Sequence, residues 1–261
     1  MNVFVLTPAN SPEEALLDEI AKISKSDPLV GAKVGSDELT HRLLSVMKDG
    51  RGVHLESLLC ALGAIAGYAC QASVRAEAIA RGLPEVALLT SVQTEDGKTY
   101  YFGDQLNNSL ADSPYSVWAI ASAAMRQARN SRRLDLTEIF KHTATAVGTA
   151  AFGKPRVPQE NAAHDSPVNY VRTLWPALQP LIAKFCLNPE HWPVLIGLSI
   201  QQAISTNEST LDPDLALQLV MEAAIPMSSV DLQIPSLKRM ARQRRYRRLH
   251  PRSGAYAKLR A

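Results

Sequence analysis

The stretch LLCALGAIAGYAC, residues 58–70, is the longest apolar run of the sequence, and its small residues carry most of the fold prediction. These residues recur at spacings of three and four, which places them on one face of a helix. They are Cys60, Gly63, Ala64 and Gly67. Glycine inside a helix costs about 0.5–1 kcal/mol relative to alanine. We therefore expect the bare face to pack closely on another backbone, at the centre of the core. A ligand held against this face is the alternative.

The apolar run has 13 residues, fewer than the roughly 20 that a membrane-spanning helix requires. The N-terminal sequence has no basic segment followed by a long apolar one, so we expect no secretory signal and no transmembrane segment. The three cysteines have no metal-binding spacing and lie among apolar neighbours. Buried, reduced thiols at Cys60, Cys70 and Cys186 indicate a reducing compartment, and the sequence therefore predicts a cytoplasmic protein.

Helix-start signals recur along the chain, because a capping side chain comes directly before a proline in five places. The pairs are Ser11-Pro12, Ser113-Pro114, Ser166-Pro167, Asn188-Pro189 and Asp212-Pro213. With the apolar periodicity, they predict helices near 12–25, 37–49, 54–81, 114–130, 136–151, 167–186, 190–206, 213–225 and 237–248. The predicted fold class is mainly α: a multi-helix globular bundle with one small β-hairpin (about residues 86–102) and a basic C-terminal helix.

The hairpin is predicted from VALLTSVQ (86–93) and KTYYF (98–102), which flank Asp96-Gly97. β-Branched and aromatic residues around Asp-Gly are typical of two paired strands. An isolated hairpin is only marginally stable in water, so we expect this one to pack on helices.

Two domains are predicted from the charge distribution. Residues 1–235 form an α-helical globular domain, in which the polar, proline-bearing segment 153–166 is either a subdomain boundary or a long surface loop. Residues 236–261 form a basic tail. The tail holds ten of the 28 Lys and Arg residues and none of the 25 acidic ones, so the overall charge of +3 combines −7 before residue 236 with +10 after it.

Common catalytic motifs are missing from the sequence, which has no P-loop, dinucleotide-binding glycine pattern, nucleophile elbow or C-x-x-C. His54 and Glu56 form H-x-E, but a zinc deaminase also needs P-C-x-x-C, and residues two apart on a helix point in different directions. Glu138 and His142 share a helix face, yet two ligands do not make a zinc site. We expect no metal and no cofactor, and whether the protein is an enzyme stays open.

A small-ligand pocket between the hairpin and the helices is the second candidate site. Glu222 lies late in an apolar helix, where the helix dipole disfavours an anion. If buried, it needs a partner, and a structural salt bridge to Arg75 or Arg81 is the favoured interpretation. Tyr101 and Asp104 lie at the exit of the hairpin, where aromatic and polar groups can line a pocket.

The basic tail is the first candidate site. Its expected anion-binding or nucleic-acid-binding residues are Lys238, Arg239, Arg242, Arg244, Arg245, Arg247, Arg248 and Tyr246. Guanidinium groups bind phosphate bidentately, and a tyrosine can stack on an unpaired base. An acidic protein, an anionic membrane or the acidic body of the chain would attract the same segment, and a solvated tail without function is a further alternative.

Three functions follow from these features. The first is a non-enzymatic interaction module that binds an anionic partner, nucleic acid or acidic protein, through the tail, with RNA as one such partner. The second is an enzyme or small-ligand binder whose pocket includes Tyr101, Asp104 and Glu222. The third is a structural subunit of an oligomer or larger complex, in which apolar helices form the interface.

Overall fold

The computed structural model describes residues 11–127 and 134–234, and these residues are mainly helical. The helices are α1 (Pro12–Ile23), α2 (Val30–Met47), α3 (Leu55–Ala80), α4 (Asp104–Asn107), α5 (Val117–Ser122), α6 (Leu136–Ala146), α7 (Pro167–Phe185), α8 (Trp192–Thr206) and α9 (Pro213–Ser229). The two strands are β1 (Thr90–Gln93) and β2 (Thr99–Phe102). The mainly α fold with one hairpin is confirmed. The predicted basic helix near 237–248 lies outside the described residues.

The core is built around a close contact between α3 and α9. A Cβ atom on Gly63 would lie 2.9 Å from the Cα of Val220, and one on Gly67 would lie 2.7 Å from the carbonyl carbon of Ala224. Both partners are backbone atoms, which cannot turn aside as a flexible side chain can. The small-residue face of α3 is therefore filled by the backbone of α9, as the spacing of its glycines predicts.

Helix α2 packs on α7 and α8 through glycines as well. A Cβ on Gly35 would lie 2.5 Å from a methyl group of Leu195, and one on Gly31 would meet the backbone of Phe185. This contact explains why α2 begins at Val30, seven residues before its predicted start. Glycine is a poor helix former, so tertiary packing rather than local preference sets this boundary.

Aromatic side chains fill the space between α3, α7 and the start of α8. Tyr68 meets Trp175 edge to face, with ring centroids 5.2 Å apart, and Trp175 meets Trp192 at 6.4 Å. Tyr68 and Trp175 are almost fully buried. Helix α7 is continuous through Pro176 and Pro180, so the prolines do not split it.

The hairpin is shorter than predicted and gains a third chain segment. Thr90 pairs with Phe102 and Gln93 with Thr99 in antiparallel register, while residues 86–89 precede the strand as turns. On the other side of β2, Tyr100 pairs with Val230, which follows α9 directly. Tyr100 also packs edge to face on Phe152 at 5.0 Å. The hairpin thus rests on the helical body, as its marginal intrinsic stability requires.

The capping residues predicted from sequence begin α1, α7 and α9. Ser11 and Glu14 form a complete capping box, and Ser166 and Asp212 each accept a backbone N–H of the helix that follows. Asn188 caps a short 3₁₀ turn just before α8. The prediction at Ser113 is wrong by three residues, because Ser116 provides the cap of α5.

The chain divides into two units, Met1–Asp231 and Leu232–Ala261. Of the second unit, only residues 232–234 are described. Within the described part, α3 alone is long and apolar enough to cross a membrane, with a mean hydropathy of 1.5 over its most apolar window, and that window is completely buried inside the protein. Helices α8 and α9 cover the apolar surface of α3, which therefore belongs to the core of the protein.

Substitution of Gly67 by alanine tests the close contact with α9. We expect Gly67→Ala to lower the free energy of unfolding by about 3 kcal/mol or to prevent folding, because the new methyl group overlaps backbone. In a helix without such a contact, the same change would stabilise by up to about 1 kcal/mol. Chemical denaturation followed by circular dichroism measures the difference. The control is Gly50→Ala, since nothing lies within 4 Å of a Cβ at Gly50. Equal stability of the two variants would refute the contact.

Candidate functional site

An open cleft of about 760 Å³ lies among the described residues. Four parts of the chain line it: the turn before α2, the C-terminal half of α3, the segment from α4 to Tyr115, and the start of α8. Its polar lining residues are Asp27, Lys33, Ser73, Glu77, Gln105, Asn108, Ser109, Ser113, Tyr115, Glu190 and His191. We refer to it below as the α3–α8 cleft.

One wall of the α3–α8 cleft has an irregular backbone. Gly103, the N-cap residue of α4, has a φ of 150°, a value that residues with a Cβ atom rarely adopt. The helix then widens into one π-helical turn, Asn108–Asp112, which ends where the N–H of Ser113 donates to the carbonyl of Asn108 at 3.0 Å. Such π-turns occur frequently at functional sites.

The charged groups of the cleft are mostly paired. The Lys33 ammonium lies 2.7 Å from Asp27, and this hydrogen bond holds the pKa of the Asp27 carboxyl below its usual value. Asp27 also accepts the backbone N–H of Leu29, which fixes the turn before α2. Glu77 forms an ion pair with Arg81. Glu190 has no cationic partner among the described residues and accepts a bond from Asn188.

A second cavity, of about 390 Å³, lies under the segment 153–167 near the start of α3. The segment is held there by polar contacts with the first turn of α3. His164 donates its backbone N–H to the hydroxyl of Ser57 at 2.9 Å, and its ring stacks on that of His54 with centroids 3.9 Å apart. Asn161 donates to Glu56 at 3.1 Å. The segment predicted as a subdomain boundary is thus attached to the core helix.

His54 and Glu56 interact directly, which corrects the sequence-based argument that they point apart. His54 Nε2 lies 3.3 Å from a carboxylate oxygen of Glu56. Two residues at this spacing point apart only when both are helical, but His54 is the N-cap of α3 and has extended backbone angles. Its Nδ1 accepts the backbone N–H of Ser57 and lies 2.9 Å from the Ser57 hydroxyl.

The order Ser57, His54, Glu56 matches the contacts of a nucleophile, a base and an orienting acid. In this protein the Ser57 hydroxyl is almost fully buried and already accepts the N–H of His164. The imidazole also caps α3. We assign the cluster the structural role of fixing the segment 157–166 on α3.

The cysteines have the buried environment that the sequence predicts. Burial raises the pKa of the Cys60 thiol to about 12, with a further contribution from the charge of Asp165, and burial raises that of Cys186 to about 12 as well. Burial also raises the pKa of Cys70. Since the thiolate is the nucleophilic form, thiols with such raised pKa values do not have the character of catalytic cysteines.

Glu222 forms the predicted structural salt bridge, but with a different arginine. Its carboxylate lies 3.0 Å from a guanidinium nitrogen of Arg156 and also accepts the backbone N–H of Arg156. Glu222 is only 5% exposed, so it needs this partner. The same guanidinium binds Glu138 bidentately, with both distances at 2.7 Å. Arg156 therefore joins α6 and α9 to the segment between α6 and α7.

The two arginines expected near Glu222 have other partners. Arg75 lies 3.3 Å from Glu85 and 3.7 Å from Asp231, and its guanidinium carbon lies 4.5 Å from the ring centre of Tyr101. Arg81 pairs with Glu77 on its own helix. The prediction of a salt bridge from Glu222 to Arg75 or Arg81 is wrong, because the partner of Glu222 is the loop residue Arg156, 66 positions away in the sequence.

The predicted pocket residues lie in separate contact networks. The Tyr101 hydroxyl donates to Asp231 at 3.0 Å. Asp104 is an exposed residue in the first turn of α4. Glu222 lines a small cleft with Ile139 and His142, and neither Tyr101 nor Asp104 is among its lining residues. A shared ligand site for the three residues stays a prediction.

The residues predicted to bind an anion, from Lys238 to Arg248, lie outside the described residues. In the described ranges, 11–127 and 134–234, no three His, Cys, Asp or Glu side chains are grouped so that they could hold a metal ion. Comparison with protein families, curated proteins and solved structures finds no match.

The sequence predicted no site at the α3–α8 cleft. The lining residues extend from Asp27 to Val194. The available local signal was the run Gly103-Asp104 followed by two asparagines and a serine, which is unusual for the interior of a helix.

Removal of the Arg156 side chain tests its role as the link between α6 and α9. We expect Arg156→Gln to lower the free energy of unfolding by about 2 kcal/mol, because the buried Glu222 carboxylate loses its cation. The value is below that of a fully buried pair, since the Arg156 side chain is 35% exposed. Thermal or urea unfolding measures it. Arg172→Gln, an exposed arginine on α7, is the control. A cost for Arg156→Gln no larger than that of the control contradicts the assigned role.

Proposed function

We propose that the protein is a non-enzymatic interaction module that binds an anionic partner through residues 236–261, and that RNA is the partner to test first. The observation that carries the proposal is the charge of this segment, with ten Lys and Arg residues and no acid. Cations without neighbouring carboxylates attract an external polyanion and release its counterions on binding. The rest of the chain has a formal charge of −7.

Arginine makes up eight of the ten cations of the segment. A guanidinium binds two phosphate oxygens at once, whereas an ammonium acts as a point charge. Tyr246 lies between Arg245 and Arg247, and Tyr256 follows further along. Tyrosine rings can stack on unpaired bases, each stack contributing about 1–3 kcal/mol. This combination favours single-stranded nucleic acid over a uniformly charged protein surface.

The ion pairs of the helical body support the same division of roles. Four arginines of the described residues already face carboxylates: Arg42, Arg75, Arg81 and Arg156. Their charge is largely neutralised, and the acidic excess of the body repels a polyanion. Anion binding by the chain is therefore attributed to its C-terminal segment.

We also infer a cytoplasmic location from the cysteines. All three are free and buried, as expected for a protein of a reducing compartment.

Binding of a fluorescent single-stranded RNA to the full chain and to residues 1–235 tests the proposal. We expect the full chain to bind and the shortened chain to lose binding. If six phosphates are contacted, affinity should fall about 300-fold between about 50 and 200 mM salt. A variant with lysine at Arg244, Arg245, Arg247 and Arg248 keeps the charge and should bind more weakly, because bidentate contacts are lost.

Three results separate the outcomes of this experiment. Binding that ignores salt, or that survives removal of 236–261, contradicts the proposal. Equal competition by polyglutamate and RNA would assign the segment to acidic proteins instead. Arg172→Lys serves as a control for the replacement of an exposed arginine by lysine elsewhere in the chain.

A further inference from the structure

We propose that the α3–α8 cleft binds a small organic cation that carries an amine or guanidine group with several hydrogen-bond donors. This inference is independent of the C-terminal segment. It rests on the size of the cleft, on one buried polar atom without a partner and on the sign of the charge around it.

The size of the cleft suits a small molecule. Its volume of about 760 Å³ lies within the range of about 300–1,000 Å³ that is common for ligand sites. Apolar side chains such as Leu29, Val74 and Val194 share its lining with the polar groups. Apolar walls with a few polar groups are the usual composition of a ligand site.

One buried polar atom of the cleft has no hydrogen-bond partner among the described residues. The Oε1 atom of Gln105 is buried and accepts no bond. An unsatisfied buried acceptor costs about 1–3 kcal/mol, and a ligand that brings a donor, after a small rotation of the amide, removes this cost. The side chains of Asn108, Ser109 and His191 also line the cleft and offer further hydrogen-bonding groups to a ligand.

Other polar side chains near helix starts in this region do form hydrogen bonds with the backbone. Around the cleft, Ser113 accepts the N–H of Tyr115, Ser116 accepts that of Ala119, and Asn188 accepts that of Glu190. These residues are used by the fold itself. The Oε1 atom of Gln105, in contrast, contributes no such bond to the fold.

The charge of the lining favours a cation. Of the three lining carboxylates, Asp27 pairs with Lys33, the one ammonium among the lining residues, and Glu77 pairs with Arg81, so that Glu190 supplies the unneutralised negative charge. Glu190 is exposed, has no cation beside it within the described residues and lines the cleft together with His191. An amine or guanidine can pair with Glu190, and Tyr115, an exposed residue that also lines the cleft, offers a π face for a cation. A phosphate or carboxylate ligand would meet repulsion from Glu190.

Calorimetric titration of the full chain with spermidine and with agmatine tests the proposal. We expect at least one of the two to bind with a Kd below about 1 mM, a modest affinity that one anchoring charge and several hydrogen bonds can supply. Glu190→Gln should weaken this binding about tenfold, since a charge-assisted hydrogen bond is lost. Gln105→Leu should also weaken it, because the amide acceptor is removed.

The control is Glu208→Gln, which makes the same charge change at an exposed residue outside the cleft. It should change the affinity less than twofold. Circular dichroism of each variant establishes that it is folded. Equal weakening by Glu190→Gln and Glu208→Gln would assign the binding to the general acidity of the body and overturn the proposal. No binding of either cation below about 1 mM, or tighter binding of succinate or uridine, would also overturn it.

Discussion

The approach of α3 to α9 at Gly63 and Gly67 is the constraint on which the rest of the molecule depends. Because no side chain separates the two helices there, their relative position is fixed by backbone contact. The consequences extend along both helices. One turn beyond Gly67, Gln71 donates to the carbonyls of Ser228 and Val230 at 2.8 and 3.2 Å and so satisfies the C-terminal end of α9.

The same geometry determines where the hairpin lies. Since Gln71 fixes the end of α9, Val230 reaches the free edge of β2 and Asp231 donates its N–H to the carbonyl of Thr99 at 2.9 Å. Arg75, one further turn along α3, then lies over Tyr101 and faces Asp231 and Glu85. On the other side of α9, Arg156 secures the segment between α6 and α7 through Glu222. Side-chain ion pairs thus attach peripheral segments to a core that helix packing defines.

The sequence predicted those features whose cause is local. Ser11, Ser166 and Asp212 begin helices because capping depends on a few neighbouring residues, and the glycine spacing in α3 is a property of one helix. The sequence did not predict features that depend on residues far apart along the chain. The start of α2 depends on Phe185 and Leu195, the partner of Glu222 lies 66 residues away, and the lining of the α3–α8 cleft extends from Asp27 to Val194. The anionic-partner prediction, in contrast, needs only the charge of residues 236–261.

Native-state hydrogen exchange tests the central position of the α3–α9 contact most directly. If this contact organises the fold, the amides of residues 62–72 in α3 and 219–225 in α9 exchange only through global unfolding, with one common free energy. The hairpin, residues 90–102, and α1 then exchange through smaller openings. Exchange of the α3 and α9 amides at lower free energies than those of the hairpin or α1 would contradict the account, because the proposed centre of the structure would then open before its periphery.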